Sequence, residues 1–452
     1  MRTPAPTLTK EAPLPAEPLP AGPRTRGSAR ARAVELQGLR GLAALSTVVF
    51  HVWQQYYTYD AAGAHPPVDN PWLGALLSLE VIDLFFVMSA YLLTLSYARA
   101  AIDGPDAPPS EGSGVRSGRD FLFRRAIRIL PVYFLAVLLV WSSRNPTLPG
   151  DWRDLLGHLT FTHVLDRERI FYTLGPTWSL SLEVAFYLAL VALGPLAIRA
   201  CRRLATRRAR VALCLAGCGA LFVAPVLWIA AAHHVLDVPY TDWPVYFRPQ
   251  ARFGGFAAGM ALAVLLVALG ERGRLDARIA GPVALAAFGG VYGLSYAADP
   301  GDIAYTYYHP LAALLWTVLL YATLRPRERD GRGPRWLGAL RARWVTGVGL
   351  ISYSLYIWHE PVMLELDGWG LLPRGPLGFA AGTLIVLAVA LAAGAVSYWL
   401  VEYPAGLLAR ARDARGAPRE FYPERAGGGP PDMAEPSPVR MGSPGGGVSG
   451  SA

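Results

Sequence analysis

Apolar residues run along this chain in blocks too long for the core of a soluble domain. Ten blocks, at residues 36–56, 73–97, 121–142, 173–195, 211–231, 251–269, 280–297, 310–324, 344–365 and 377–402, predict ten transmembrane helices, since a helix needs about 20 apolar residues to cross a bilayer. The block at 310–324 is the shortest, and the partly apolar residues 154–166 predict an interfacial or re-entrant piece. The expected fold class is an all-α polytopic membrane protein. Residues 1–33, rich in Pro and Ala, and residues 411–452, rich in Gly, Pro and Ser, are expected as disordered tails around a transmembrane domain at 34–410. No apolar stretch precedes residue 34, so the first block reads as a true span and not a cleaved signal peptide. No soluble domain is expected after the last span.

Charge orients these spans. Arg24, Arg26, Arg30 and Arg32 precede the first, and the next loop, 57–72, has no Lys or Arg. Loops 98–120, 196–210 and 325–343 are rich in arginine, whereas 232–250, 298–309 and 366–376 hold one, none and one. Basic residues concentrate in cytoplasmic loops, so both termini are expected in the cytoplasm, which requires an even number of spans. The composition agrees: mean hydropathy is +0.30, 53% of residues are hydrophobic and only 17% are charged. The net charge of +9 does not indicate a nucleic-acid partner, because the arginines sit in short loops between spans. Cys201, Cys214 and Cys218 have neither metal-ligand spacing nor an even disulfide count and read as free thiols. No metal site is expected.

Ionisable residues inside the apolar blocks are the candidates for chemistry, because each is costly in hydrocarbon. Arg40 and His51 lie eleven residues apart on the first span, on nearly one helix face and roughly 16 Å apart. Arg40 then sits at the cytoplasmic side and His51 near mid-membrane. Glu80 and Asp83 share a face of the second span, and Glu183 lies within the fourth. On the third span Arg124, Arg125 and Arg128 form a cationic fork suited to bidentate phosphate binding. Arg252 opens the sixth span as an interfacial anchor or as a partner for Asp83 or Glu183. Ser352, Tyr356 and His359 share a face of the ninth and would line an outer cavity. Glu402, at the end of the tenth, reads as structural.

Several motifs carry a resemblance. Gln37-Gly-Leu-Arg-Gly-Leu-Ala-Ala through His51 resembles the opening of the membrane-bound acyltransferase 3 family. Asp83-Leu-Phe-Phe-Val-Met-Ser-Ala-Tyr-Leu-Leu-Thr, Arg124-Arg-Ala-Ile-Arg-Ile-Leu-Pro-Val-Tyr and Thr177-Trp-Ser-Leu-Ser-Leu-Glu-Val-Ala-Phe-Tyr follow, then Ser352-Tyr-Ser-Leu-Tyr-Ile-Trp-His and Val401-Glu-Tyr-Pro. They occur in family order over roughly 34–410. Gln37 stands where the family usually has Asp, and Ala90 where it has Gly. The resemblance implies ten transmembrane helices and acyl transfer from acyl-coenzyme A to a hydroxyl, usually on a sugar. It also implies an essential histidine matching His51, an arginine matching Arg40 and an Arg-x-x-Arg pair matching Arg125 and Arg128. Lacking a fused hydrolase-like domain, the chain resembles the stand-alone members, which acylate polysaccharides, lipid-linked sugars or sugars on secondary metabolites.

The expected mechanism is direct transfer, with no permanently bound cofactor and with acyl-coenzyme A as donor substrate. The coenzyme A phosphates dock on Arg125, Arg128 and Arg40. His51 acts as general base on the acceptor hydroxyl, and Glu183 or Asp83 orients its imidazole. The expected partners are the lipid bilayer, acyl-coenzyme A and a sugar acceptor. The rival reading is a transporter or flippase that uses the same buried charges as a substrate or proton path. The absence of a transporter-type internal repeat weighs against it.

Overall fold

The computed structural model describes residues 23–61, 63–104, 115, 117–239, 241–298, 304–327, 334–375 and 377–416. Ten long helices dominate them: α1 (Pro23–Gln55), α2 (Ile82–Ile102), α3 (Gly118–Arg144), α4 (Trp178–Arg202) and α5 (Arg207–His234), then α6 (Pro249–Leu269), α7 (Ala277–Ala297), α8 (Ala304–Leu324), α9 (Arg343–Gly368) and α10 (Gly378–Ser397). Eight segments among the described residues, containing α1 to α7 and α10, are long and apolar enough to cross a membrane. The other two expected spans coincide with the long helices α8 and α9, which are not among these eight. The protein is an all-α polytopic membrane protein. The described residues up to Ala409 form one compact unit, and of the second, which begins at Arg410, only the last turns of the helix Tyr403–Gly416 are described.

Element boundaries depart from expectation in several places. The second block, expected as one span over 73–97, is broken: Pro71–Leu77 is a separate short helix and α2 starts only at Ile82. Helix α1 begins at Pro23, within the stretch expected to be a tail, because its Arg- and Ala-rich lead-in is a good helix former. Helix Tyr403–Gly416 likewise runs beyond residue 410; the remaining tail residues, 1–22 and 417–452, lie outside the described residues. Helix α8 begins at Ala304, six residues before its apolar block, which brings His309 inside the helix.

Lipid supplies no hydrophobic drive between helices, so close packing of small residues must hold them together. Two contacts position the later chemistry. At the α2–α6 contact, a Cβ built on Gly259 would stand 2.3 Å from the Val87 carbonyl oxygen and 2.9 Å from the Ala90 methyl. The alanine at position 90 is accommodated because α6 offers a glycine opposite it. Where α1 crosses the start of α9 and the short helix Leu337–Leu340 just before it, a Cβ on Gly38 would meet the Leu340 carbonyl oxygen at 2.1 Å. One on Gly41 would meet that of Val345 at 2.3 Å, and one on Gly349 that of Gln37 at 1.9 Å. Gln37 adds a bond from Nε2 to the Thr346 carbonyl, 3.0 Å.

The segment between α3 and α4 folds against α3. Its short helix Trp152–Leu159 fully buries Asp154 and His158. Asp154 accepts from the Thr173 hydroxyl, the Tyr133 hydroxyl donates to the His158 carbonyl at 2.8 Å, and the His158 and His163 rings stack at 4.0 Å. Burial, with the adjacent His158 ring adding, pushes the His163 imidazole down to about 3.

Two predictions follow from this packing. Gly259→Leu should destabilise the bundle by about 1–3 kcal/mol, read as a lower unfolding temperature in detergent; an unchanged temperature would deny that α2 and α6 touch this closely. An unfolded histidine protonates near pH 6.5, whereas folded His163 refuses the proton until about pH 3. The unfolded state therefore binds more protons across that window, so stability should fall as pH drops through it, and His163→Phe should flatten the decline.

Candidate active site

The α1–α9 crossing brings two helices bearing unlike chemistry side by side. Three turns beyond it, α1 presents His51 and α9 presents His359, with ring centroids 4.8 Å apart. His51 is half-buried and His359 is 1% exposed. The His51 Nδ1 lies 2.9 Å from the Thr47 carbonyl and 3.2 Å from the His359 Nε2, while the His359 Nδ1 lies 2.6 Å from the Tyr356 carbonyl.

Beside this pair is a cavity of about 130 Å³ bounded by α1, α2, α3, α4 and α9. Arg40, Arg125 and Arg128 line it, together with Glu183, Tyr187, Ser89, Ser179 and Tyr356. From helix α3, Arg125 and Arg128, three residues apart, both reach the lining, whereas Arg124 lies outside it. The cluster is compensated from α4, where Glu183 accepts from the Tyr187 hydroxyl at 2.6 Å and from the Ser89 hydroxyl at 3.2 Å. Tyr187 also meets the Arg125 guanidinium. Glu402, in a π-helical turn at Tyr398–Glu402, accepts from the Ser354 hydroxyl at 2.8 Å and sits in the field of Arg128 and Arg40. Such turns concentrate at functional sites.

Tyr356 connects the cavity to the histidines. Its ring is 5.7 Å from that of His359, and its hydroxyl engages the Ser179 hydroxyl at 2.7 Å and the Pro176 carbonyl. The next residue outward on α9, Glu360, accepts from the Gly175 backbone N–H at 2.7 Å. A Cβ at position 175 would stand 2.5 Å from that carboxylate, so the turn into α4 needs glycine there.

Of the residues expected in the site, His51, His359 and Arg124 are not in the cavity lining, although His359 shared the outer-cavity expectation with Ser352 and Tyr356, which do line it; Asp83 and Arg252 stand in a different cluster. Asp83 faces away from the cavity that its neighbours Ile82, Phe85 and Phe86 line, and its carboxylate meets the His309 Nδ1 at 2.8 Å. Arg252 is buried against Phe247 and Trp178, donates from Nε to the Tyr246 carbonyl at 3.0 Å, and lies in the field of Asp83 and Glu80. These side chains join α2, α6 and α8 into a second polar cluster. The hydrogen bonds of Glu183 likewise go to Ser89 and Tyr187, so the residue directly against the His51 imidazole is His359. Reading the sequence alone missed His309, Ser179 and the roles of Tyr187 and Glu402. The spacing Glu183-x-x-x-Tyr187, one helical turn, was a signal for the Tyr187 bond. No group of three or more His, Cys, Asp or Glu residues able to hold a metal occurs among the described residues.

Comparison with known proteins points the same way. A family model described as an acyltransferase domain matches residues 34–399. The acyltransferase MdmB of Streptomyces mycarofaciens is 29% identical over 415 residues, covering 86% of this chain and 95% of that protein. BcsY of Komagataeibacter xylinus, named as a candidate membrane-bound transacylase, is 28% identical over 393 residues, covering 81% of each chain. No solved structure matches.

The bridging role of Tyr187 is testable. Tyr187→Phe preserves the ring and removes one hydroxyl from the Glu183–Arg125 link, so it should destabilise the bundle by about 1 kcal/mol, the scale of one lost hydrogen bond. Thermal unfolding of the detergent-solubilised protein measures this; an unchanged unfolding temperature would deny that Tyr187 bridges the two.

Proposed function

Because the chain belongs to the acyltransferase 3 family, we propose that it moves an acyl group from acyl-coenzyme A to a hydroxyl of a carbohydrate-containing acceptor. The observation that carries this reading is one cavity whose lining runs from three arginines to Tyr356, which abuts the His359–His51 pair. An anion-binding end and a base-bearing end are what a phosphate-tailed thioester needs. Arginine forks suit phosphate groups, and Arg128 is exposed while Arg40 and Arg125 are half-buried. The arginine-rich loops support a cytoplasmic position for that end, where coenzyme A thioesters reside, with the protein in the cytoplasmic membrane of a bacterium. The carbohydrate class of acceptor rests on the family resemblance.

In the transfer, the coenzyme A phosphates rest on Arg125, Arg128 and Arg40, and the pantetheine arm runs along the cavity toward Tyr356. His51 Nε2 takes the proton of the acceptor hydroxyl as its oxygen bonds to the thioester carbon. The carbon–sulfur bond then breaks, and the proton passes from His51 to the departing sulfur, giving the ester and free coenzyme A. Glu183 keeps the arginines in place by balancing their charge.

A panel of acyl-coenzyme A thioesters tests the donor site without any acceptor, since a bound ligand raises the unfolding temperature by mass action. Saturable stabilisation should occur in the native protein and weaken at least tenfold in Arg125→Ala/Arg128→Ala. Folded protein that responds to no thioester, but takes up solute into liposomes, would overturn this function in favour of transport.

A further inference from the structure

The geometry points to His359 as the positioning residue for His51: its Nε2 receives the His51 Nδ1–H and steadies that ring when it becomes a cation. This deepens the acyltransferase reading and rests on it. Backbone carbonyls only accept, so the nitrogen facing each must carry hydrogen. The Thr47 carbonyl, 2.9 Å from the His51 Nδ1, makes that nitrogen a donor; the Tyr356 carbonyl, 2.6 Å from the His359 Nδ1, does the same for the second ring. In neutral His359 the Nε2 is then a lone pair, directed at the His51 Nδ1 from 3.2 Å. In neutral His51 the proton-accepting nitrogen is Nε2.

The two carbonyls assign the tautomers, and the second ring supplies what a carbonyl does not. When His51 takes the hydroxyl proton it becomes an imidazolium, and the Nδ1–H it turns to His359 then meets an imidazole lone pair. A carboxylate serves this purpose in hydrolytic triads. Within an apolar bundle a permanently charged carboxylate carries a large desolvation cost, whereas a neutral imidazole does not. The surroundings agree. The titratable side chains beside the pair on α9 are Tyr356 and Glu360, the latter turned to the Gly175 backbone N–H, and neither ring hydrogen-bonds a carboxylate or guanidinium among the described residues. Neither ring is in the cavity lining; His51 is half-buried whereas His359 is 1% exposed with its Nε2 turned to His51, so His359 acts through His51 and not on the substrate.

Two amide substitutions separate positioning from packing. In His359→Gln the side-chain oxygen falls where Nε2 stood and still accepts from His51. In His359→Asn the amide nitrogen falls where Nδ1 stood, keeping the bond to the Tyr356 carbonyl but losing reach to His51. Steady-state transfer from acyl-coenzyme A should show kcat about 100-fold down in the Asn variant, in the range of lost base assistance. The Gln variant should recover at least tenfold of that, with the donor KM and the thioester-induced thermal stabilisation unchanged in both. An Asn variant equal to or better than Gln, or a loss carried by the donor KM, would overturn the assignment. His51→Ala, measured alongside, separates the two levels. If it retains transfer, the base assignment fails with everything built on it; if it is inactive while His359→Asn matches the native enzyme, only the role of His359 fails.

Discussion

The site depends on one backbone contact. Helices α1 and α9 cross where glycines 38, 41 and 349 let main chain touch main chain, and a methyl group at any of the three would collide with a carbonyl oxygen. From that crossing both helices run outward side by side, and three turns later His51 and His359 meet. Because α-helices are stiff rods, a close approach at one end sets the separation of side chains some 15 Å along. The glycines of the Gln37-Gly-Leu-Arg-Gly segment thus do structural work for a histidine they never touch.

The polar groups within the bundle divide into two clusters. Along α2, Ile82, Phe85, Phe86 and Ser89 face the cavity, while Asp83 turns to α6 and α8 and meets His309. Each cluster balances cations against carboxylates: Arg40, Arg125 and Arg128 with Glu183 and Glu402 on one side, Arg252 with Asp83 and Glu80 on the other. An apolar bundle tolerates ionisable groups when they are paired or face water. The aromatic wall of Phe86, Phe256 and Phe186, whose successive rings stack at 4.6 Å, stands between α2, α4 and α6.

Much of this was legible in the chain before the fold. Block lengths predict the ten long helices, because hydrocarbon thickness acts on composition alone. His51, Arg40, Arg125 and Arg128 stand out because each breaks an apolar run. What was not legible depends on facing. Arg124 and Arg125 are each within a turn of Arg128, and only packing decides which of them reaches the cavity. His309 sits one residue before an apolar block that starts at 310, so it read as loop. The partner of His51 was sought among the acids, since a lone sequence shows neither tautomers nor which of ten helices lies against the first. Glu402 read as a polar stop, and only the π-helical turn around it reveals that it faces the arginines.

The most direct test of the account is a structure of the protein in a lipid nanodisc with a non-hydrolysable acyl-coenzyme A analogue bound. The phosphates should lie on Arg125 and Arg128, and the carbonyl carbon of the analogue should come within about 5 Å of the His51 Nε2, leaving room for a hydroxyl at hydrogen-bonding distance. An analogue bound away from these arginines, or an arm that never approaches His51, would contradict it.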